Sequence, residues 1–247
     1  VSVKFAKWIA THVEDRIHKA YPKAVKSKVL TKNETVFAAG CGFYKIVMLF
    51  FIGAFLGDIT ETIFCRITAG VWMSRSSVVW GPFSIVWGLA IGAVTALLYK
   101  YKDKSDSFLF TAGTLLGGAY EYLCSVFTEM MFGKVFWDYS KIPFNLGGRI
   151  NLLYCFFWGI AAVAWIKGIY PVMSAWIEKI PMNFGKAATW LLLIFFCVDM
   201  AVSGLALVRS SEREKGIPAD SAWQQVMDEH YGDEVLKKIY PNALKVE

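Results

Sequence analysis

The chain has 247 residues, of which 56% are hydrophobic and only 19% charged, and its mean hydropathy is +0.43. That balance is too apolar for a water-soluble domain of this length, and one membrane-embedded domain is expected. The formal net charge of +6 does not make a nucleic-acid binder: the basic residues gather in the N-terminal segment and in short loops, as anionic lipid and membrane topology dictate.

In chain order, residues 1–21 predict an amphipathic helix. Phe5, Trp8, Ile9, Val13, Ile17 and Tyr21 recur at three- and four-residue steps, with Lys4, Lys7, Thr11, Asp15 and His18 on the other side. Such a helix suits an interface rich in anionic lipid, or packing against another subunit. His12 and His18 do not share a ligand face, so no metal is expected there. No cleavable signal peptide is expected either, because the first 40 residues have no apolar core.

Five apolar runs follow, at Phe43–Cys65, Val78–Tyr99, Phe108–Met131, Ile150–Tyr170 and Ala187–Val208. Each is long enough to cross a hydrocarbon core, which takes ~20 helical residues. Gly53 with Gly57, Gly88 with Gly92, and Gly113 with Gly117 give small-xxx-small spacings suited to close helix contact. Between the third and fourth runs, Phe132–Gly148 cannot continue a helix through Pro143, Gly147 and Gly148. Trp137 and Tyr139 there suit an interfacial aromatic belt, and Asp138, Asn145 and Arg149 offer polar groups on irregular backbone. The segment reads as backbone covering a polar cavity, or as an exposed loop. After Val208 the tail turns polar, with two short helices expected at Ala222–His230 and Asp233–Ile239, either capping the outer mouth of the bundle or extending as a solvated tail.

The fold class expected is an all-α integral membrane protein. Its parts are a cytoplasmic amphipathic segment (1–42), a five-helix transmembrane bundle (43–208) and an extracytoplasmic helical tail (209–247). Orientation follows from the lysines and arginines of the N-terminal segment, of 100–104 and of 167–186, which place the N-terminus in the cytoplasm and the C-terminus outside. The cysteines at 41, 65, 124, 155 and 197 form no C-x-x-C pair and read as free thiols, with no metal or other cofactor implied.

Ionisable residues inside apolar runs carry the functional signal, because a charge at bilayer depth costs at least ~2.5 kcal/mol and needs a partner or a role. Asp58 and Glu61 share a face of the first run, Glu121 lies in the third, Asp199 in the fifth, and Arg149 opens the fourth. With the stated orientation all fall toward the outer half. They form either an ion-pair network that fixes helix register or a site for a cation or a small polar substrate. Three expectations follow. Arg149 pairs with Glu121, Glu61 or Asp138. Glu61 and Glu121 line one outward cavity. Asn145 and the Trp137–Tyr139 segment form its rim.

The block E-Y-L-C-S (121–125), F-G (132–133), W-D-Y-S (137–140), N-L-G-G-R-I (145–150) and W-G (158–159) resembles the bacterial family of ABC-transporter permeases of the CmpB type. Upstream, Gly57 with Glu61 and Gly81, Pro82 with Gly88 are similar to its pattern. Asp58 stands where that pattern has Trp, and Ile85 where it has a second Pro. The resemblance implies transport with a separate ATPase or other membrane subunit, since no Walker A loop is present. Two readings compete with transport. One is a membrane enzyme acting at the outer leaflet, with Glu61, Glu121 or Asp138 as acid or base and Arg149 on an anionic head group. The other is a lipid-organising or assembly protein. The absence of His from every apolar run and of G-x-S-x-G or H-E-x-x-H motifs weighs against the enzyme.

Overall fold

A computed structural model of the chain describes residues 36–245. The expected amphipathic helix at 1–21 lies outside the described residues. Helix α1 (Phe43–Ala69) stops at Gly70, whose φ of 73° lets its N–H reach the Arg66 carbonyl. Helix α2 (Ile85–Leu98) is started by Ser84, whose hydroxyl accepts the Trp87 N–H, and it winds into a 3-10 turn at Tyr99–Tyr101. Helix α3 (Asp106–Phe132) has Ser105 as its N-cap and ends at Gly133.

Helix α4 (Leu152–Ala164), capped by Asn151, runs through a π turn at Trp165–Ile169 into α5 (Tyr170–Glu178). The π turn sits directly before Pro171. The pyrrolidine has no N–H for the regular ladder and crowds the preceding turn, so the chain takes in an extra residue there. Helix α6 (Met182–Glu214) follows Pro181, and the tail forms α7 (Ala222–His230) and α8 (Asp233–Ile239), where the sequence places them.

Among the described residues three helical stretches are long and apolar enough to cross a membrane: α1, the continuous α4–α5 rod and α6. The expected second span is a shorter apolar helix, Ile85–Tyr101, because Gly81 and Pro82 keep its first residues in a loop. The expected third span forms α3, a continuous helix of 27 residues that is not among those three and carries Asp106, Glu121 and Glu129. The molecule is largely helical with small strand pairs. Strand β2 (Asn145–Leu146) pairs antiparallel with β3 (Ile150–Asn151), and β1 (Lys134–Val135) pairs antiparallel with β4 (Leu244–Lys245), tying the tail to the end of α3.

Two ends are defined by contacts. At one, Lys45 at the start of α1 donates to the Ser174 carbonyl at 3.1 Å and to Glu178 at 2.7 Å, while Phe37 packs on Gly185. Leu49, Leu98, Leu109, Trp165, Tyr170 and Ile177 fill the core there. At the other, the tail closes over α6 through Ala206, Leu207, Met227, Leu236 and Tyr240. Arg209 binds Asp228 at 2.8 Å and Lys134 binds Glu214 at 3.0 Å.

The helices from α1 to α4 form two hairpins built on one plan. In the first, Gly53-x3-Gly57-x3-Glu61 on α1 faces Trp87-Gly88-x2-Ile91 on α2. In the second, Gly113-x3-Gly117-x3-Glu121 on α3 faces Trp158-Gly159-x2-Ala162 on α4. The contacts repeat residue by residue. A Cβ at Gly57 would meet Trp87 Cβ at 2.2 Å, and one at Gly117 would meet Trp158 Cβ at 2.3 Å. Gly53 lies against Ile91 as Gly113 lies against Ala162, and Gly88 against Phe50 as Gly159 against Phe110. Glycine at these positions lets the helices approach closely enough for dispersion to hold them where no hydrophobic effect operates. Trp87 and Trp158 meet with ring centroids 5.5 Å apart, so the hairpins touch through equivalent residues.

Candidate functional site

The acids of the tail end occupy this junction. Glu121 is buried on the α3 face that also carries Gly113, Gly118 and Ser125. Its Oε1 accepts the Tyr139 hydroxyl at 2.6 Å and its Oε2 the Trp158 indole N–H at 3.1 Å. Hydrogen bonds to a charged acceptor stabilise by about 1.5–3 kcal/mol each, so the carboxylate is solvated by the protein. Both donors are neutral, and among the described residues no lysine or arginine pairs with Glu121 to balance its ionised form. The Tyr139 ring is stacked on Tyr154 at 4.8 Å, which fixes the hydroxyl. Burial and the bond to Glu121 push the Tyr139 phenol above its ordinary value, and it remains a donor.

Asp58 and Glu61 lie one turn apart on α1. The Arg75 Nε is 3.4 Å from Glu61. Asp58 is 5% exposed, the Arg75 main-chain N–H faces its carboxyl, and its Oδ1 has no hydrogen-bond partner. The charge of Glu61 acts on Asp58, Glu121 and Tyr139 alike, so these residues share one electrostatic site. Asp199 stands apart on α6. Its Oδ1 accepts the Trp80 N–H at 3.1 Å, and the Trp80 indole donates to the Tyr231 hydroxyl at 2.9 Å, linking the α1–α2 loop to the tail.

The expected pairing of Arg149 is corrected. Arg149 pairs with Glu129, donates to Ser125 Oγ at 3.1 Å and lies over the Tyr122 ring at 5.9 Å. Glu121, Glu61 and Asp138 are all engaged elsewhere. The reason is level: Glu129 lies two turns beyond Glu121, about 12 Å along the axis, where α3 ends and the loop carrying Arg149 begins. The i, i+4, i+8 row Glu121, Ser125, Glu129 was the signal in the sequence that pointed to it.

Asp138 and Asn145 hold the loop together. The Asp138 carboxylate accepts the Ser140 N–H and hydroxyl, each at 2.8 Å, and these bonds keep it below the usual carboxylate range. The Asn145 amide donates to the Ile142 carbonyl at 2.8 Å and accepts the Gly148 N–H at 3.0 Å. Trp137 donates to the Arg149 carbonyl at 2.9 Å. The result is a rigid loop that delivers Tyr139 to Glu121. Among the described residues no group of His, Cys, Asp or Glu is arranged to hold a metal ion. Arg75, Trp87 and Trp158 are the contributors that sequence reasoning left out of the site, although the doubled G-x3-G-x3-E and W-G patterns mark the positions of the two tryptophans.

Apolar helices, hairpins knitted by glycine and buried acids at one end define a helical membrane protein. The family described as "Putative ABC-transporter type IV" matches residues 48–204, and the chain belongs to that family. The matched stretch holds both hairpins and every acid of the site. No curated protein and no solved structure matches the chain.

Proposed function

We propose that the chain is the permease-like membrane component of a transporter, and that it takes a cationic or small polar substrate at the Glu121–Glu61 junction. The observation that carries this reading is Glu121, a buried carboxylate held at both oxygens by neutral donors. A buried charge without a counter-charge is costly, and a fixed polar cradle for the anion supports repeated binding and release of a cation. The membership in an ABC-type family supports a transport role with a separate ATPase or other membrane subunit. In this reading five helical passes cross the bacterial cytoplasmic membrane, with the Lys45 end inward and the tail outward. In the same reading the basic N-terminal segment (1–42) meets anionic lipid, and the site opens outward with Tyr139 and its loop at the rim. Asp58, Asp138, Asn145 and Arg149 support the site.

Purified chain in proteoliposomes, with its ATPase partner where one co-purifies, tests the proposal by uptake of labelled amines and inorganic cations. Glu121→Gln is expected to abolish uptake while the melting temperature stays within a few degrees of the parent. A variant that transports normally but is strongly destabilised makes the acids structural and removes the proposal.

A further inference from the structure

The two hairpins differ at one telling position. Asp58 follows Gly57 in the first, and the residue that follows Gly117 in the second is Gly118. A single acid therefore breaks an otherwise matched pair. Charge at this half of the junction can be counted. Arg75 balances Glu61, and among the described residues no lysine or arginine forms an ion pair with Asp58. Asp58 is left as the acid of this half without an ion pair, on a side chain 5% exposed whose Oδ1 accepts no hydrogen bond.

The orphaned oxygen is the second, independent observation. Protein donors serve both oxygens of Glu121 but leave one oxygen of Asp58 unserved. Chemistry and space limit what can serve it. Asp58 is only 5% exposed, so whatever serves that oxygen must reach it inside the protein. The charged groups that act on Asp58 are Glu61 on its own helix and Arg75 on the α1–α2 loop.

We infer that the Asp58 carboxylate binds one small monovalent cation, a proton or an alkali-metal ion, beside the Glu61–Arg75 ion pair. Monovalence follows from the single acid left without an ion pair, and smallness from the burial of its one unpartnered oxygen. The inference rests on the transport reading for its purpose, in which this cation is the coupling species that moves with a substrate at Glu121.

The test is thermal unfolding of the full chain in nanodiscs. In one arm choline chloride is replaced by sodium, lithium or potassium chloride at constant ionic strength and pH. In the other arm pH is lowered at constant salt. The expected result is a rise in melting temperature of roughly 2–4 °C in one arm, which says whether the cation is a metal ion or a proton. Asp58→Asn abolishes that rise, and Glu121→Gln keeps it. Should the Asn variant fail to fold, Asp58→Gly, which copies the second hairpin, takes its place. A parent chain indifferent to both arms, or a rise that survives in the Asp58 variant, overturns the inference. A rise that depends on Asp58, together with full uptake by Glu121→Gln, would keep this inference and discard the transport site.

Discussion

The two hairpins use one packing scheme and reach two electrostatic states. In each, a glycine pair on the longer helix receives a tryptophan from the shorter one, and a glutamate follows one turn beyond the second glycine. Glu61 is then answered by the Arg75 guanidinium, while Glu121 is answered by a phenol and an indole. The difference arises in the connecting segments. The α1–α2 loop brings an arginine to its glutamate, whereas the loop before α4 sends its arginine past Glu121 to Glu129 and offers Tyr139 instead. Packing and charge are thus set by separate parts of the chain, and a matched scaffold holds an unmatched site.

The packing half of this comparison is the easiest to break. Gly117→Ala places a Cβ against Trp158 Cβ, and Gly57→Ala does the same against Trp87. Each is expected to destabilise by about 1–3 kcal/mol in denaturation of the detergent-solubilised chain, and the two values should be similar. Gly92 is the control, since a Cβ there would meet Ile46 at an ordinary 3.7 Å. Gly92→Ala should be neutral or stabilise by up to ~1 kcal/mol through helix propensity.

The electrostatic half separates the hairpins. Tyr139→Phe removes one donor from Glu121 and is expected to cost about 1.5–3 kcal/mol in a parent background and much less in a Glu121→Gln background, measured as a double-mutant cycle. A second cycle addresses Arg149. Coupling of Arg149→Ala with Glu129→Gln should be about 1 kcal/mol, and coupling with Glu121→Gln near zero. A large coupling to Glu121 would restore the pairing expected from the sequence and contradict the structure.

The smallest effect concerns the tail, which lies beyond both hairpins. Arg209 and Arg213 hold the Asp228 carboxyl down to about 2, below an unfolded value of about 3.9. A group with a depressed folded pKa contributes above its unfolded value and loses that contribution as pH falls through the folded one. The tail is therefore expected to stay docked at pH 5 and to loosen progressively between about pH 4 and 2, read by protease sensitivity at Gly216–Asp220. Loosening near neutral pH would show that another group controls the cap.

Much of the helical plan was legible because apolar length and breakers act locally. Pro181 and Gly216 bracket α6, and Ser221 with Gln224 starts α7 within the expected range. The boundaries that slipped did so for physical reasons: Pro82 delays α2, and Pro171 turns α4–α5 through a π turn rather than ending it. In the site, Asp58, Glu61 and Glu121 were legible as costly charges in apolar runs. Their partners were not, because Arg75 and Tyr139 reach them from irregular segments whose paths no periodicity describes. The Arg149 expectation failed on level along a helix axis, a quantity that face-sharing arguments leave out.

The claim on which the account turns is that Glu121, not Glu61, carries the exchangeable charge. Uptake by proteoliposomes containing Glu121→Gln and, separately, Glu61→Gln measures it most directly, with melting temperature recorded on the same samples. The account predicts that Glu121→Gln loses uptake with little change in stability, while Glu61→Gln strands Arg75, lowers the melting temperature and keeps partial uptake. Full uptake in Glu121→Gln, or equal loss of uptake and stability in both variants, would contradict it.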